Sequence, residues 1–343
     1  MSELIKKGQK AKEASYELMN AGTVIKNKAL ELMAEKLLAY KDEIIKENKK
    51  DLERAMNKGT SKAMLDRLSL DKKRIEGMAN GLRKVAALAD PIGEVTGMWN
   101  RPNGLQIGKQ RVPLGVIGII YEARPNVTSD AAGLCLKSGN VVILRGGSEA
   151  INSNIAVVKA LSEGIKEAGL PAECVQLVED TSREVASEMM RLNDYIDVLI
   201  PRGGAGLIQS VVQNSTVPVI QTGTGNCHVY VDSEADLEMA KNIVINAKTS
   251  RPAVCNAEEK LLVHTNVAEE FLPIIVKALR EKNVEIRGDE RTMKIVNGIN
   301  AATEEDWGKE YTDYIISIKV VDSLEEAIKH INKYGTGHSE AIV

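Results

Sequence analysis

Between residues 113 and 220, short apolar runs rich in branched side chains recur, most of them separated by helical stretches of about 12 to 18 residues. The runs are 115–120, 140–144, 174–178 and 196–200, with a weaker one at 217–220. A run that is apolar throughout cannot present a polar face to water. It suits a parallel strand covered on both faces and joined to the next by a right-handed crossover. The pattern predicts a doubly wound α/β domain, in which ligands bind at the carboxyl ends of the strands.

The flanking segments have other rhythms. Residues 1 to about 90 read as helices, with Leu30, Met33, Leu37 and Leu38 on one face and Ile44, Ile45 and Leu52 continuing it. Ser69 and Asp71 precede a helical run from Lys72 to Leu88. Residues 92–112 alternate apolar and polar around Arg101-Pro102-Asn103-Gly104, a hairpin signal. Such a hairpin is either an ordinary surface feature or a protrusion that pairs with another subunit. From Val229 a second α/β segment begins, with a helix from Leu237 to Thr249, a strand from Lys260 to His264, a helix from Val267 to Lys282 and a strand from Ile315 to Val321. Two domains are expected, 1–228 and 229–343. The apolar end Ala341-Ile342-Val343 reads as a strand cut short, so the second domain is expected to be truncated.

Composition removes several function classes. No run of 18 apolar residues occurs. The amino terminus is charged, without the apolar core of a signal peptide. A net charge of −3 gives no basic excess for nucleic acid or acidic membranes, and 3% aromatics leaves few platforms for stacking bases. Four cysteines without a C-x-x-C pair make no disulfide scaffold, and a reducing cytoplasm is the expected location.

The candidate chemistry lies in loops. Arg145-Gly146-Gly147-Ser148-Glu149 follows one strand, and Arg202-Gly203-Gly204-Ala205-Gly206 follows another and opens a helix. Glycine permits close backbone approach, a helix N-terminus offers N–H groups to an anion, and each loop carries an arginine suited to phosphate. Neither matches G-x-G-x-x-G, and each is equally readable as a plain tight turn. Cys255 lies on a loop four residues after Arg251, where positive charge favours the thiolate nucleophile. A small buried apolar residue is the alternative. Cys135 and Cys174 sit in apolar patterns. Cys227-His228 suggests a metal or catalytic pair, but adjacent residues rarely ligate one ion together, so no metal is expected. Asn126 follows the first apolar run. It is either a turn residue or an amide donor to a developing oxyanion.

Together, residues 112–150, 199–208, 219–232, 251–264 and 333–343 resemble the aldehyde dehydrogenase superfamily, most closely its gamma-glutamyl phosphate reductase family. The resemblance runs from near residue 5 to the end. It implies an aldehyde dehydrogenase-like fold, with a doubly wound cofactor domain, an α/β catalytic domain and a protruding oligomerisation hairpin. The implied reaction is NADPH-dependent reduction of L-glutamyl 5-phosphate to L-glutamate 5-semialdehyde, with phosphate release, in proline biosynthesis. Cys255 matches the catalytic cysteine, which attacks the acyl phosphate and forms a thioester. Asn126 matches the oxyanion-hole asparagine. Arg145 falls where the superfamily has a lysine at the adenosine ribose, and Ser148 where NAD-preferring relatives carry a glutamate. Both favour NADP, and Glu149 is adjacent. Gly203 and Gly204 match the loop over the pyrophosphate, and Glu305 the glutamate that holds the nicotinamide ribose. Arg124 or Arg251 takes the substrate carboxylate. A homo-oligomer is implied, and the upstream glutamate 5-kinase is a further candidate partner.

Two departures carry information. Oxidising aldehyde dehydrogenases place a glutamate base where this chain has Thr222. That base activates the water that hydrolyses the thioester, and a reductase has no use for it. Before Cys255 the chain reads Ser250-Arg251-Pro252-Ala253, where the family pattern is Gln-Arg-Pro-Ser. This touches substrate contacts and not the nucleophile. The competing readings are another acylating aldehyde dehydrogenase, using coenzyme A or a different acyl phosphate, and a non-catalytic oligomeric scaffold.

Overall fold

The computed structural model describes residues 2–122, 124–221 and 223–343. The chain forms two compact units, Met1–Thr222 and Gly223–Val343.

The first unit opens with five helices, α1 (Glu3–Leu18), α2 (Thr23–Ala39), α3 (Lys41–Asn57), α4 (Lys62–Leu68) and α5 (Lys72–Ala87). Leu30, Met33 and Leu37 of α2 are fully buried, as their spacing predicts. Asp71 starts α5 by accepting the Arg74 N–H at 2.7 Å. Strands β1 (Val95–Asn100) and β2 (Gln106–Gln110) form the expected antiparallel hairpin, with Trp99 opposite Ile107.

The alternating segment then yields β3 (Val116–Tyr121), α6 (Pro125–Lys137), β4 (Val141–Gly146), α7 (Ile151–Ala168), β5 (Val175–Leu177), α8 (Arg183–Met189), β6 (Val198–Arg202) and α9 (Ala205–Asn214). The four strands make a parallel sheet in the order β5-β4-β3-β6. Every residue of β3 is buried. Helix α7 packs on α2 across Gly164, where a Cβ would lie 2.6 Å from the Met33 backbone nitrogen. The weak fifth run makes only a bridge between Leu199 and Val219. Pro218, with no N–H to give a ladder, limits it to that.

The second unit contains β7 (Cys227–Val231), α10 (Leu237–Thr249), β8 (Glu258–His264), α11 (Thr265–Glu281), β9 (Glu285–Gly288), α12 (Glu290–Ile295), β10 (Asn300–Ala301), α13 (Glu304–Gly308), β11 (Ile315–Val321), α14 (Leu324–Tyr334) and β12 (Glu340–Ile342). Its strands are all parallel, in the order β10-β9-β11-β8-β7-β12. Phe271, the single phenylalanine, is fully buried against this sheet with Val229, Leu261 and Ile318.

The division at 222/223 corrects the expected boundary at 228/229. Cys227 and His228 are already paired in β7, so they belong to the second sheet. The apolar end is not a loose strand on both sides. Glu340–Ile342 runs parallel to β7, and the Val343 N–H donates to the Tyr230 carbonyl at 2.9 Å. The pairing leaves Ile342 exposed on the outer edge.

Candidate active site

In the first unit, the expected residues gather after the strand ends. Arg145 is the fifth residue of β4 and half-buried. Its Nη2 donates to the carbonyls of Thr181 (2.5 Å) and Ser182 (3.0 Å), in the loop before α8. Its Nε is buried without a hydrogen-bond partner among the described residues. Burial lowers the Arg145 pKa, and the carboxylates of Glu149, Asp180 and Glu122 oppose that. Ser148 opens a single 3-10 turn, Ser148–Ala150.

Gly203 and Gly204 lie between β6 and α9, with Gly204 as the residue that caps the helix. The Gly204 N–H donates to Glu122 Oε2 at 2.9 Å. A Cβ on Gly203 would sit 2.5 Å from that same oxygen and 2.7 Å from Leu207. This is a cradle that only glycine leaves open, and it already holds an anionic oxygen. The orphaned Nε of Arg145 and this cradle fit a phosphate-bearing cofactor.

Asn126 is the second residue of α6, after Pro125 at the first helical position. It is exposed, and its Nδ2 donates to Asp130 at 3.2 Å. Arg124 is half-buried immediately before that helix.

In the second unit, Cys255 lies on tight turns between α10 and β8. The Val254 N–H donates to the Arg251 carbonyl and the Ala257 N–H to the Val254 carbonyl. Cys135, Cys174 and Cys227 are buried, and Cys255 is not. Burial pushes the thiols of Cys135 and Cys174 up to about 12. Burial, aided by the Glu340 carboxylate, does the same to Cys227. Cys227 therefore stays a thiol at neutral pH, and its Sγ lies 3.2 Å from the Cys255 carbonyl oxygen as a donor. A Cβ on Gly225 would lie 1.5 Å from the same oxygen. The backbone of Cys255 thus packs closely on a glycine and accepts from a thiol. Arg251 is exposed at the head of the same loop.

His228 is buried, with Nδ1 2.9 Å from the Asn226 carbonyl. Its ring meets His330 edge-on at 5.7 Å. Cys227 Sγ meets the Cys255 carbonyl and His338, whereas the His228 ring meets Asn226, Glu340 and His330.

Glu305 is exposed on α13. Its neighbour Asp306 anchors that short helix. It accepts from Thr303 N–H (2.8 Å), Tyr311 (2.8 Å) and Arg287 (2.6 Å). Burial raises the Asp306 pKa, but the hydrogen bonds from Thr303, Tyr311 and Arg287 outweigh it. The carboxyl is held well below the usual range. Asn226 ties this helix to the region of Cys255. Its Nδ2 donates to the carbonyls of Trp307 (2.8 Å) and Tyr334 (2.7 Å), and it follows Gly225 directly. Sequence reasoning missed both Asp306 and Asn226. The signal available was Thr303 followed three residues later by an acid, a capping pattern. Thr222, which replaces the hydrolytic base, lies outside the described residues.

Comparison with known proteins finds relatives over the length of the chain. The model of the aldehyde dehydrogenase family matches residues 26–309. A gamma-glutamyl phosphate reductase of Clostridium botulinum (strain Alaska E43 / Type E3) is 74% identical over the whole chain, which spans 83% of that protein. One from Clostridium beijerinckii is 70% identical, with the same coverage. The crystal structure of gamma-glutamyl phosphate reductase from Thermotoga maritima superposes with a TM-score of 0.89 at 52% identity. It covers all of this chain and 83% of that one.

Proposed function

We propose that this chain, which belongs to the aldehyde dehydrogenase family and within it to the gamma-glutamyl phosphate reductases, reduces L-glutamyl 5-phosphate to L-glutamate 5-semialdehyde in proline biosynthesis. The observation that carries the reading is identity of 74% over 343 residues with a protein of that name. The half-buried Cys255, whose carbonyl packs on Gly225 and accepts from Cys227, supports it.

In this reading Cys255 Sγ, as thiolate, attacks the γ-carbonyl carbon. The carbon–sulfur bond forms, the carbon–oxygen bond to phosphate breaks, and inorganic phosphate leaves with its electron pair. The amide of Asn126 and the Cys255 N–H donate to the oxygen that becomes negative. Asn126 Nδ2 has two N–H groups, so one can stay on Asp130 while the other donates to this oxygen. Arg124 or Arg251 pairs with the α-carboxylate of the substrate. A nicotinamide cofactor, NADPH in this reading, would supply a hydride to the acyl carbon, and the carbon–sulfur bond would then break to release the aldehyde and return Cys255 as its thiolate. Arg145 and Ser148 take its adenosine end and 2′-phosphate, Gly203 and Gly204 its pyrophosphate, and Glu305 the nicotinamide ribose. In this reading the first unit carries the adenosine and pyrophosphate contacts, and the second carries Cys255 and Glu305. A homo-oligomer joined through the Thr96–Gln110 hairpin belongs to the same reading. The kinase enters it only as the source of the acyl phosphate.

The test is the acyl acceptor. Run in reverse with glutamate semialdehyde, turnover requires inorganic phosphate and is not supported by coenzyme A. Turnover with coenzyme A and not with phosphate would reassign the chain to another acylating aldehyde dehydrogenase.

A further inference from the structure

Glu122 has no part in the scheme above, yet its side chain lies on the cofactor loop. It follows the last residue of β3, whose register partners are Gly146 on β4 and Arg202 on β6. Its own N–H donates to the Arg202 carbonyl at 3.2 Å, which fixes its backbone beside the glycine turn. Its carboxylate accepts the Gly204 N–H and lies across the Cα of Gly203. Helix α9 has no acidic residue in its own first turn, so Glu122 is the negative charge set at that end. The same carboxylate contributes to the field at Arg145.

We propose that Glu122 is a resident anion on the cofactor loop, occupying the Gly204 N–H until the phosphate of an incoming dinucleotide displaces it. The inference rests on the reading of Gly203 and Gly204 as the pyrophosphate loop. It adds that dinucleotide affinity is set by a competition between two anions for one donor. In the empty loop the carboxylate neutralises the helix end and holds the turn in its ligand-bearing shape. When a phosphate arrives, two like charges cannot share the N–H, and the carboxylate withdraws. Glu122 therefore weakens binding of anything that brings phosphate to the loop and leaves a ligand without phosphate unaffected.

The experiment measures dissociation constants of NADPH, inorganic pyrophosphate and adenosine by calorimetry on the full chain. Glu122→Gln keeps an oxygen for the Gly204 N–H and removes the charge. It is expected to bind NADPH and pyrophosphate about tenfold more tightly and adenosine alike. Gly204→Pro, compatible with the φ of −68° at that position, removes the N–H and is expected to weaken both phosphate ligands. If Gly204→Pro weakens NADPH while Glu122→Gln leaves it unchanged or weaker, the competition is overturned and the loop reading stands. If Gly204→Pro binds NADPH as the parent does, the loop reading falls and takes the proposal with it. Should Glu122→Gln fail to fold by its melting curve, Glu122→Asp, whose shorter carboxylate falls back from Gly204, decides in the same direction.

Discussion

Arg145 shows how one side chain can divide its valence. One amino group of the guanidinium is spent on the carbonyls of Thr181 and Ser182, and the buried Nε has no partner among the described residues. A buried donor without an acceptor costs about 1–3 kcal/mol, so a ligand oxygen that satisfies it gains accordingly. Replacement by alanine is expected to raise the Michaelis constant for NADPH tenfold or more and that for NADH much less, since a charge-assisted contact is worth roughly 1.5–3 kcal/mol. Steady-state kinetics with the two cofactors check this. An equal loss for both would place Arg145 on a part common to them, or on the loop alone. At this scale the sequence drew the eye to Cys255, Arg145 and the two glycines by residue type and neighbours, with a small buried cysteine and plain turns as the alternatives. What no sequence rhythm reveals is the partner each side chain finds, such as Glu122 on Gly204 or Cys227 on the Cys255 carbonyl.

Among the elements, α14 and α13 illustrate why the second unit was harder to read. The strands β3, β4 and β6 announce themselves by apolar runs because both faces are covered. By contrast β9, β10 and α13 are short and largely polar, so periodicity has too few residues to act on. Helix α14 is held by His330, whose ring packs against Trp307 of α13 at 5.3 Å and Tyr334 at 4.6 Å. Burial lowers the His330 pKa from 6.5 to about 3, helped by the positive charge of Lys319. The folded state thus binds the proton less readily than the unfolded chain. The stability of the neutral ring is complete above the unfolded pKa and is lost as pH falls from about 6.5 towards 3, by up to about 1.4 kcal/mol per pH unit. His330→Phe removes this titration. Between about pH 7 and pH 5, its unfolding free energy is expected to fall by roughly 2 kcal/mol less than that of the parent, measured by denaturant titration at both pH values. An identical pH dependence in the two proteins would show that His330 is not buried neutral.

For the whole molecule, the hairpin poses the open question of assembly. Every residue of β2 is exposed, as are Met98, Trp99, Leu105 and Ile107 across the pair. An isolated two-stranded hairpin is marginal in water, and apolar side chains on an open edge invite a partner. The pair Met98→Lys and Trp99→Glu is expected to shift the mass in sedimentation equilibrium to a smaller species. An unchanged mass would leave the hairpin outside the interface. That the chain holds two α/β segments was legible from the strand–helix rhythm, while the division at 222/223 was not. The glycine-rich stretch at 222–226 reads as a loop within one domain until β7 is seen paired with β8.

The central claim is that Cys255 carries the acyl group as a thioester that only phosphate removes. Rapid mixing of the protein with glutamate semialdehyde and NADP, without phosphate, tests it through the absorbance of the reduced nicotinamide. The account predicts a burst of one equivalent per site that then stops, because Thr222 offers no base to activate water. Added phosphate restarts turnover, and Cys255→Ser gives no burst although it still binds the cofactor. Continuous turnover without phosphate, or a burst that survives in Cys255→Ser, would contradict it.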